Sequence, residues 1–122
     1  MKKILVIDDE AFICKMLKKL LEKNHYTVMD ASDGKKGIQI FQERHPDLII
    51  TDLIMPGKEG LETIREIKKL NPDIKIIAMS GGGVVDPELY LQLAEKMGAN
   101  KSFSKPIDNE VLLLTVKNLL MS

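Results

Sequence analysis

Short β-branched runs alternate five times with amphipathic stretches, and this alternation predicts an α/β fold in which helices cover both faces of a five-stranded parallel sheet. Two further observations agree. The strand ends that lead into the loops are polar, as in open α/β sheets whose functional groups gather there. The chain has 122 residues, which suits one domain (residues 1–122) with a substantial core and leaves no room for a second.

The first strand spans 3–8, where Ile4-Leu5-Val6-Ile7 runs into Asp8-Asp9-Glu10. The helix that follows, from about Glu10 to Lys23, has Phe12, Ile13, Met16, Leu17, Leu20 and Leu21 on the face predicted to pack on the sheet, with Lys15, Lys18, Lys19 and Glu22 opposite. After a second strand at 26–31, the Ser32-Asp33-Gly34 turn starts a second helix that runs to about Arg44. The third strand, 47–52, carries Leu48-Ile49-Ile50-Thr51 up to Asp52 and the loop Leu53-Ile54-Met55-Pro56-Gly57. A third helix then runs from Glu59 or Gly60 to the Asn71-Pro72 break after Leu70. The second and third helices are expected to connect neighbouring strands.

The fourth strand, 74–79, leads to Ser80 and Gly81-Gly82-Gly83. In Asp86-Pro87-Glu88 the Asp suits a cap, the Pro a first turn and the Glu the helix dipole, which predicts a fourth helix ending near Met97-Gly98. The fifth strand, 100–104, precedes Lys105-Pro106, and the last helix runs from Asp108 to about Met121. Its Leu112, Leu113, Val116, Leu119 and Leu120 cluster toward the sheet, whereas Val111, Leu114 and Met121 fall on roughly the opposite side. That second set is either scattered surface hydrophobes or a partner surface.

Lys plus Arg and Asp plus Glu balance at 18 each, without a basic arm, so direct nucleic-acid binding and attraction to an anionic membrane are not expected. The single cysteine, Cys14, cannot form an intramolecular disulfide and is expected to be a small half-buried side chain. Four apolar residues after Lys2-Lys3 are too few for a signal peptide, and no segment has membrane-spanning length. The expected location is the cytoplasm, with no membrane insertion.

The chemistry gathers at strand ends. Asp8, Asp9 and Asp52 would repel one another unless a cation neutralised them. Mg²⁺ fits, because it accepts one or two carboxylates, a backbone carbonyl and waters, and leaves a position for a phosphoryl oxygen. Zinc does not, since Cys14 is on a helix and His25 and His45, expected at the surface, form no spaced cluster. Lys105 offers a fixed positive charge and Ser80 a hydroxyl, and together they complement a phosphoryl group. Each alone is ordinary: a strand-end Asp is commonly a cap, a Lys-Pro a solvated loop, and triple glycine a turn. Their combination is not.

With Ile7-Asp8-Asp9-Glu10, Thr51-Asp52-Leu53-Ile54-Met55-Pro56, Gly60, Ser80 and Lys105-Pro106 in family order and spacing, the chain resembles the response-regulator receiver family of two-component signalling over nearly its whole length, and within it the stand-alone, chemotaxis-regulator-like members. The resemblance implies a doubly wound, flavodoxin-like sheet of order 2-1-3-4-5 with five helices. It implies that Asp52 accepts a phosphoryl group from a histidine kinase or phosphotransfer protein in a Mg²⁺-dependent reaction. Asp9, Asp52 and the backbone carbonyl of Ile54 would bind the metal, with Asp8 acting through metal-bound water, and Ser80 and Lys105 would hold the phosphoryl oxygens. The Lys105-Pro106 bond resembles the family's cis peptide.

The implied protein is a signalling module rather than an enzyme, catalysing only its own phosphorylation and dephosphorylation. It would switch binding to an output protein through helix 4, strand 5 and helix 5, and a phosphorylation-dependent dimer is a further partner. Ile54 and Gly82 occupy positions that influence dephosphorylation. One departure stands out: Ser102 occupies the aromatic switch position, and neighbouring Phe103 should face the other way, into the core. Three alternatives stay open on the residues alone. They are a carboxylate phosphohydrolase, a flavin or nucleotide binder using the glycine run, and a phosphorylation-independent interaction module.

Overall fold

In the computed structural model, which describes residues 1–54, 60–81 and 86–121, the apolar runs form one parallel sheet. Its strands are β1 (Lys3–Ile7), β2 (Thr27–Ala31), β3 (Leu48–Asp52), β4 (Lys75–Ser80) and β5 (Lys101–Ser104), in the order β2-β1-β3-β4-β5. Among the described residues the helices are α1 (Ala11–Lys23), α2 (Gly34–Arg44), α3 (Gly60–Leu70), α4 (Pro87–Lys96) and α5 (Asn109–Met121). Predicted and observed ends agree to within about one residue. Met55-Pro56-Gly57 and Gly82-Gly83, to which the sequence assigns loop roles, lie outside the described residues.

Strand periodicity divides the core in two. Leu5, Ile7, Ile49, Ile76 and Ala78 meet Phe41 of α2, Ile64 and Ile67 of α3, and Ala94 of α4 on one face. Ile4, Val6, Leu48, Ile50, Ile77 and Met79 meet Leu17 and Leu21 of α1 and Leu112 and Val116 of α5 on the other. Phe103, half-buried, packs against this second cluster from the face that strand alternation assigns it, at the margin of the core and not within it. The chain leaves β1 toward β2 on one side and returns to β3 on the other, so a crevice opens at the carboxyl ends of β1 and β3. Consequently α2 does not connect neighbouring strands as expected. It crosses over β1 to join β2 with β3, and α3 alone of that pair joins neighbours.

Three aspartates start helices as their positions suggested. Asp33 accepts from the Lys36 amide at 2.8 Å, Asp86 from Leu89 at 3.2 Å, and Asp108 from Glu110 at 2.8 Å. His25 and His45, both exposed, leave α1 and α2 with left-handed φ of 70° and 49°.

The inward stripe of α1 differs from the expected one. Cys14, Leu17 and Leu21 are buried, whereas Phe12 is 74% exposed and Met16 37% exposed. The rotation of α1 is set by the short connection from β1: the Glu10 amide donates to the Asp8 carboxylate at 2.9 Å, and the Cys14 thiol donates to the Asp8 carbonyl at 3.3 Å. That setting turns Cys14 inward and Phe12, about 200° away on the helix, outward. Cys14 is therefore fully rather than half buried, and burial pushes its thiol pKa up to about 11.

Candidate functional site

The crevice between the ends of β1 and β3 is where the predicted site residues meet. Asp52 is the last residue of β3 and Asp8 the first after β1, and both are buried. Each is held through one carboxylate oxygen by a backbone amide: Leu53 donates to Asp52 at 3.0 Å and Glu10 to Asp8 at 2.9 Å. Asp9 stands beside them, exposed. One carboxylate oxygen from each of Asp8, Asp9 and Asp52 lies within 4.8 Å of the others, a spacing that a hard divalent cation can bridge. An exposed member gives such an ion and its waters access.

Lys105 enters from β5. Its amide donates to the Ser80 carbonyl at 2.8 Å, continuing the β4–β5 pairing, and the Lys105-Pro106 bond is cis. Its ammonium lies 2.8 Å from Asp8, 3.3 Å from Glu10 and 3.6 Å from Asp52. Two glycines permit this closeness. A Cβ on Gly60 would sit 2.2 Å from the carbonyl oxygen of Asp52, and one on Gly81 would sit 2.8 Å from the Cβ of Lys105. Ser80, at the end of β4, is buried, and its hydroxyl has no hydrogen-bond partner among the described residues. A buried hydroxyl left so costs free energy until an acceptor or donor reaches it.

Charge is unbalanced here. Burial, and then the charge of Asp8, raise the pKa of Asp52 to about 6, against the opposing pull of Lys105 and the Leu53 amide. Asp8 is also raised, chiefly by burial. For Lys105, burial alone would lower the pKa, but its hydrogen bond to Asp8 and the charges of Asp52 and Asp8 outweigh that and raise it. One ammonium does not neutralise the aspartates it faces, and the oxygen-only donor set is one that could hold a hard divalent cation. The arrangement can therefore present a carboxylate oxygen as a nucleophile to an electrophile whose other oxygens meet a lysine, a hydroxyl and a cation.

Of the remaining predicted residues, Ile54 stands two positions beyond Asp52 with its side chain 38% exposed. Ser102 points to α4, where its hydroxyl hydrogen-bonds the Glu95 carboxylate. Val111, Leu114 and Met121 on α5 are exposed at 47%, 60% and 75%. The sequence assigned no role to Glu10, which proves to be a third partner of Lys105. Its signal was available: glutamate is a poor choice for the residue preceding a helix.

Comparison with known proteins bears on the fold and the family. A family model described as the response regulator receiver domain matches residues 4–117. Sporulation initiation phosphotransferase F of Bacillus subtilis is 30% identical over 119 residues, covering 98% of this chain and 94% of that protein. Chemotaxis protein CheY of Thermotoga maritima is 35% identical over 106 residues, 86% of each chain. Among solved structures, a receiver domain protein from Clostridium thermocellum superposes with a TM-score of 0.90 at 38% identity, covering 98% of this chain and 94% of that one.

Proposed function

The chain belongs to the response regulator receiver family of signalling modules, and from that premise we propose that Asp52 accepts a phosphoryl group from a histidine kinase or phosphotransfer protein in a Mg²⁺-dependent reaction. The observation that carries this reading is the environment of Asp52 itself. A buried carboxylate has one oxygen held by the Leu53 amide, the other facing Lys105 at 3.6 Å, and two more aspartates within metal-sharing distance. A cap or turn residue needs none of these.

Asp9, Asp52 and the Ile54 carbonyl would hold Mg²⁺, with Asp8 acting through its water. When bound, the ion offsets the acidic cluster and draws charge from the phosphoryl oxygens. The protein's own groups do the rest by position and charge. Asp52 is the nucleophile: one of its oxygens bonds to phosphorus as the bond from phosphorus to the donor's imidazole nitrogen breaks. With a pKa of about 6 before any cation binds, it is already mostly ionised at neutral pH. Lys105 holds one phosphoryl oxygen, and the buried Ser80 hydroxyl donates to another, gaining the partner it lacks. Catalysis is confined to the module's own phosphorylation and dephosphorylation.

The signal follows from Ser80. Its movement toward the phosphoryl group would pull Gly81 and the connection to α4, shifting the population between two arrangements of α4, β5 and α5. Those elements, with Val111, Leu114 and Met121, would meet the output protein or a second phosphorylated copy. Among the described residues no helix is long and apolar enough to cross a membrane. We place the module, a single domain over residues 1–122, in the cytoplasm. The test is incubation with Mg²⁺ and a small phosphodonor. An acid-stable, base-labile adduct should form on the native protein and not on Asp52→Asn; no adduct on the native protein would refute the proposal.

A further inference from the structure

Resting on the reading of Asp52 as the acceptor, we propose that Glu10 is a positioning residue that competes with the incoming phosphoryl oxygen for Lys105 and so selects against strongly anionic small phosphodonors. The ammonium of Lys105 has three donors and faces three carboxylates, those of Asp8, Glu10 and Asp52 at 2.8, 3.3 and 3.6 Å. They are not equivalent. The side chains of Asp8 and Asp52 are 0% and 8% exposed and each is tied to a backbone amide, whereas that of Glu10 is 60% exposed. Glu10 is the partner most cheaply exchanged, because water can receive its carboxylate once Lys105 turns to a phosphoryl oxygen.

Local structure gives the Glu10 side chain no other task, although its amide holds the Asp8 carboxylate. It occupies the position before α1, with φ −85° and ψ 106°, yet its side chain makes no capping hydrogen bond. Asp33, Asp86 and Asp108 do make such bonds at their helices. A residue type that breaks the capping preference beside a reactive group is where a functional constraint is to be sought. Its carboxylate instead adds an exposed negative charge 3.3 Å from the Lys105 ammonium, which an anionic phosphodonor meets as it approaches that lysine. It also lines an apolar groove of about 930 Å³ that includes Phe12, Met16, Pro106 and Ile107. A donor arriving with its own counter-charge, such as a protein surface, can offset Glu10, and a free anion cannot.

The test compares two donors of different charge on the native protein and on Glu10→Gln, with saturating Mg²⁺. Acetyl phosphate is a dianion near neutral pH and phosphoramidate a monoanion. In each case an Asp52 oxygen bonds to phosphorus as the bond to the leaving group breaks. Acetate leaves from the first, and ammonia, its nitrogen already protonated, from the second. Glu10→Gln should raise the rate with acetyl phosphate about three- to tenfold and that with phosphoramidate less, and the gap should shrink as salt shortens the Debye length from about 10 Å at 0.1 M. Beryllofluoride, an anion that binds without reaction, should bind Glu10→Gln tighter. Equal rates for the two proteins, or a fall with both donors, would overturn the role assigned to Glu10. Failure of every donor to modify the native protein at Asp52 would instead overturn the reading on which it rests.

Discussion

Replacing Asp52 by asparagine should stabilise the metal-free protein, and by an amount that depends on pH. Asp52 is 5% exposed, and its folded pKa of about 6 lies above its ordinary value of 3.8. The folded state therefore binds this proton more tightly than the unfolded state. The resulting contribution is fully present below about pH 3.8 and is lost as pH rises through about 6. Roughly two pKa units correspond to about 3 kcal/mol, an upper figure because Asp8 titrates in the same cluster and relaxes when Asp52 is neutralised. Urea unfolding at a series of pH values measures it, with chelator present, followed by circular dichroism because the chain has no tryptophan. Asp52→Asn should match the native protein at acid pH and exceed it by up to about 3 kcal/mol above pH 6, a gap that Mg²⁺ narrows by stabilising the ionised cluster. A difference independent of pH, or a less stable variant at neutral pH, would refute the electrostatic reasoning.

Three other substitutions or reagents probe separate parts of the account. Ser80→Ala removes a buried hydroxyl that has no partner among the described residues, so unfolding free energy should change by less than about 1 kcal/mol, while calorimetry should show beryllofluoride affinity falling about tenfold or more. Gly60→Ala places a Cβ 2.2 Å from the Asp52 carbonyl oxygen and 2.4 Å from the Leu53 Cα, and should cost about 2–3 kcal/mol in urea unfolding and slow phosphorylation by displacing Asp52. Cys14, with its thiol raised to about 11, should react with a disulfide reagent only as fast as the protein opens, so urea should accelerate labelling in step with unfolding.

The sheet was legible because every strand is a short apolar run bounded by polar residues, and three helix starts carry aspartates whose capping role spacing reveals. The site was legible because its groups sit at strand ends, which a parallel sheet gathers at one edge whatever its strand order. What was not legible depended on rotation and contact. Phe12 and Met16 satisfy helical periodicity as well as Cys14 does, and hydrophobicity favours them; the Asp8–Cys14 contact that turns α1 reaches outside the helix and leaves no mark on its apolar pattern. Alternation fixes parallelism and not the order of strands, so the path of α2 over β1 follows from the order 2-1-3-4-5 that the family resemblance implies and not from the apolar pattern. For Glu10 the sequence offers only its poor fit before a helix; its partner Lys105 lies 95 positions away, and no local pattern links the two.

The central claim is that the phosphoryl group is carried by the carboxylate of Asp52, and chemical trapping locates it. After phosphorylation with Mg²⁺ and a small donor, borohydride reduces an aspartyl phosphate to homoserine, which peptide mass spectrometry places in the sequence. The account predicts homoserine at position 52 and nowhere else, and none when the metal is chelated. Homoserine at position 8 or 9, or a phosphoryl group on a serine, threonine or histidine, would contradict it.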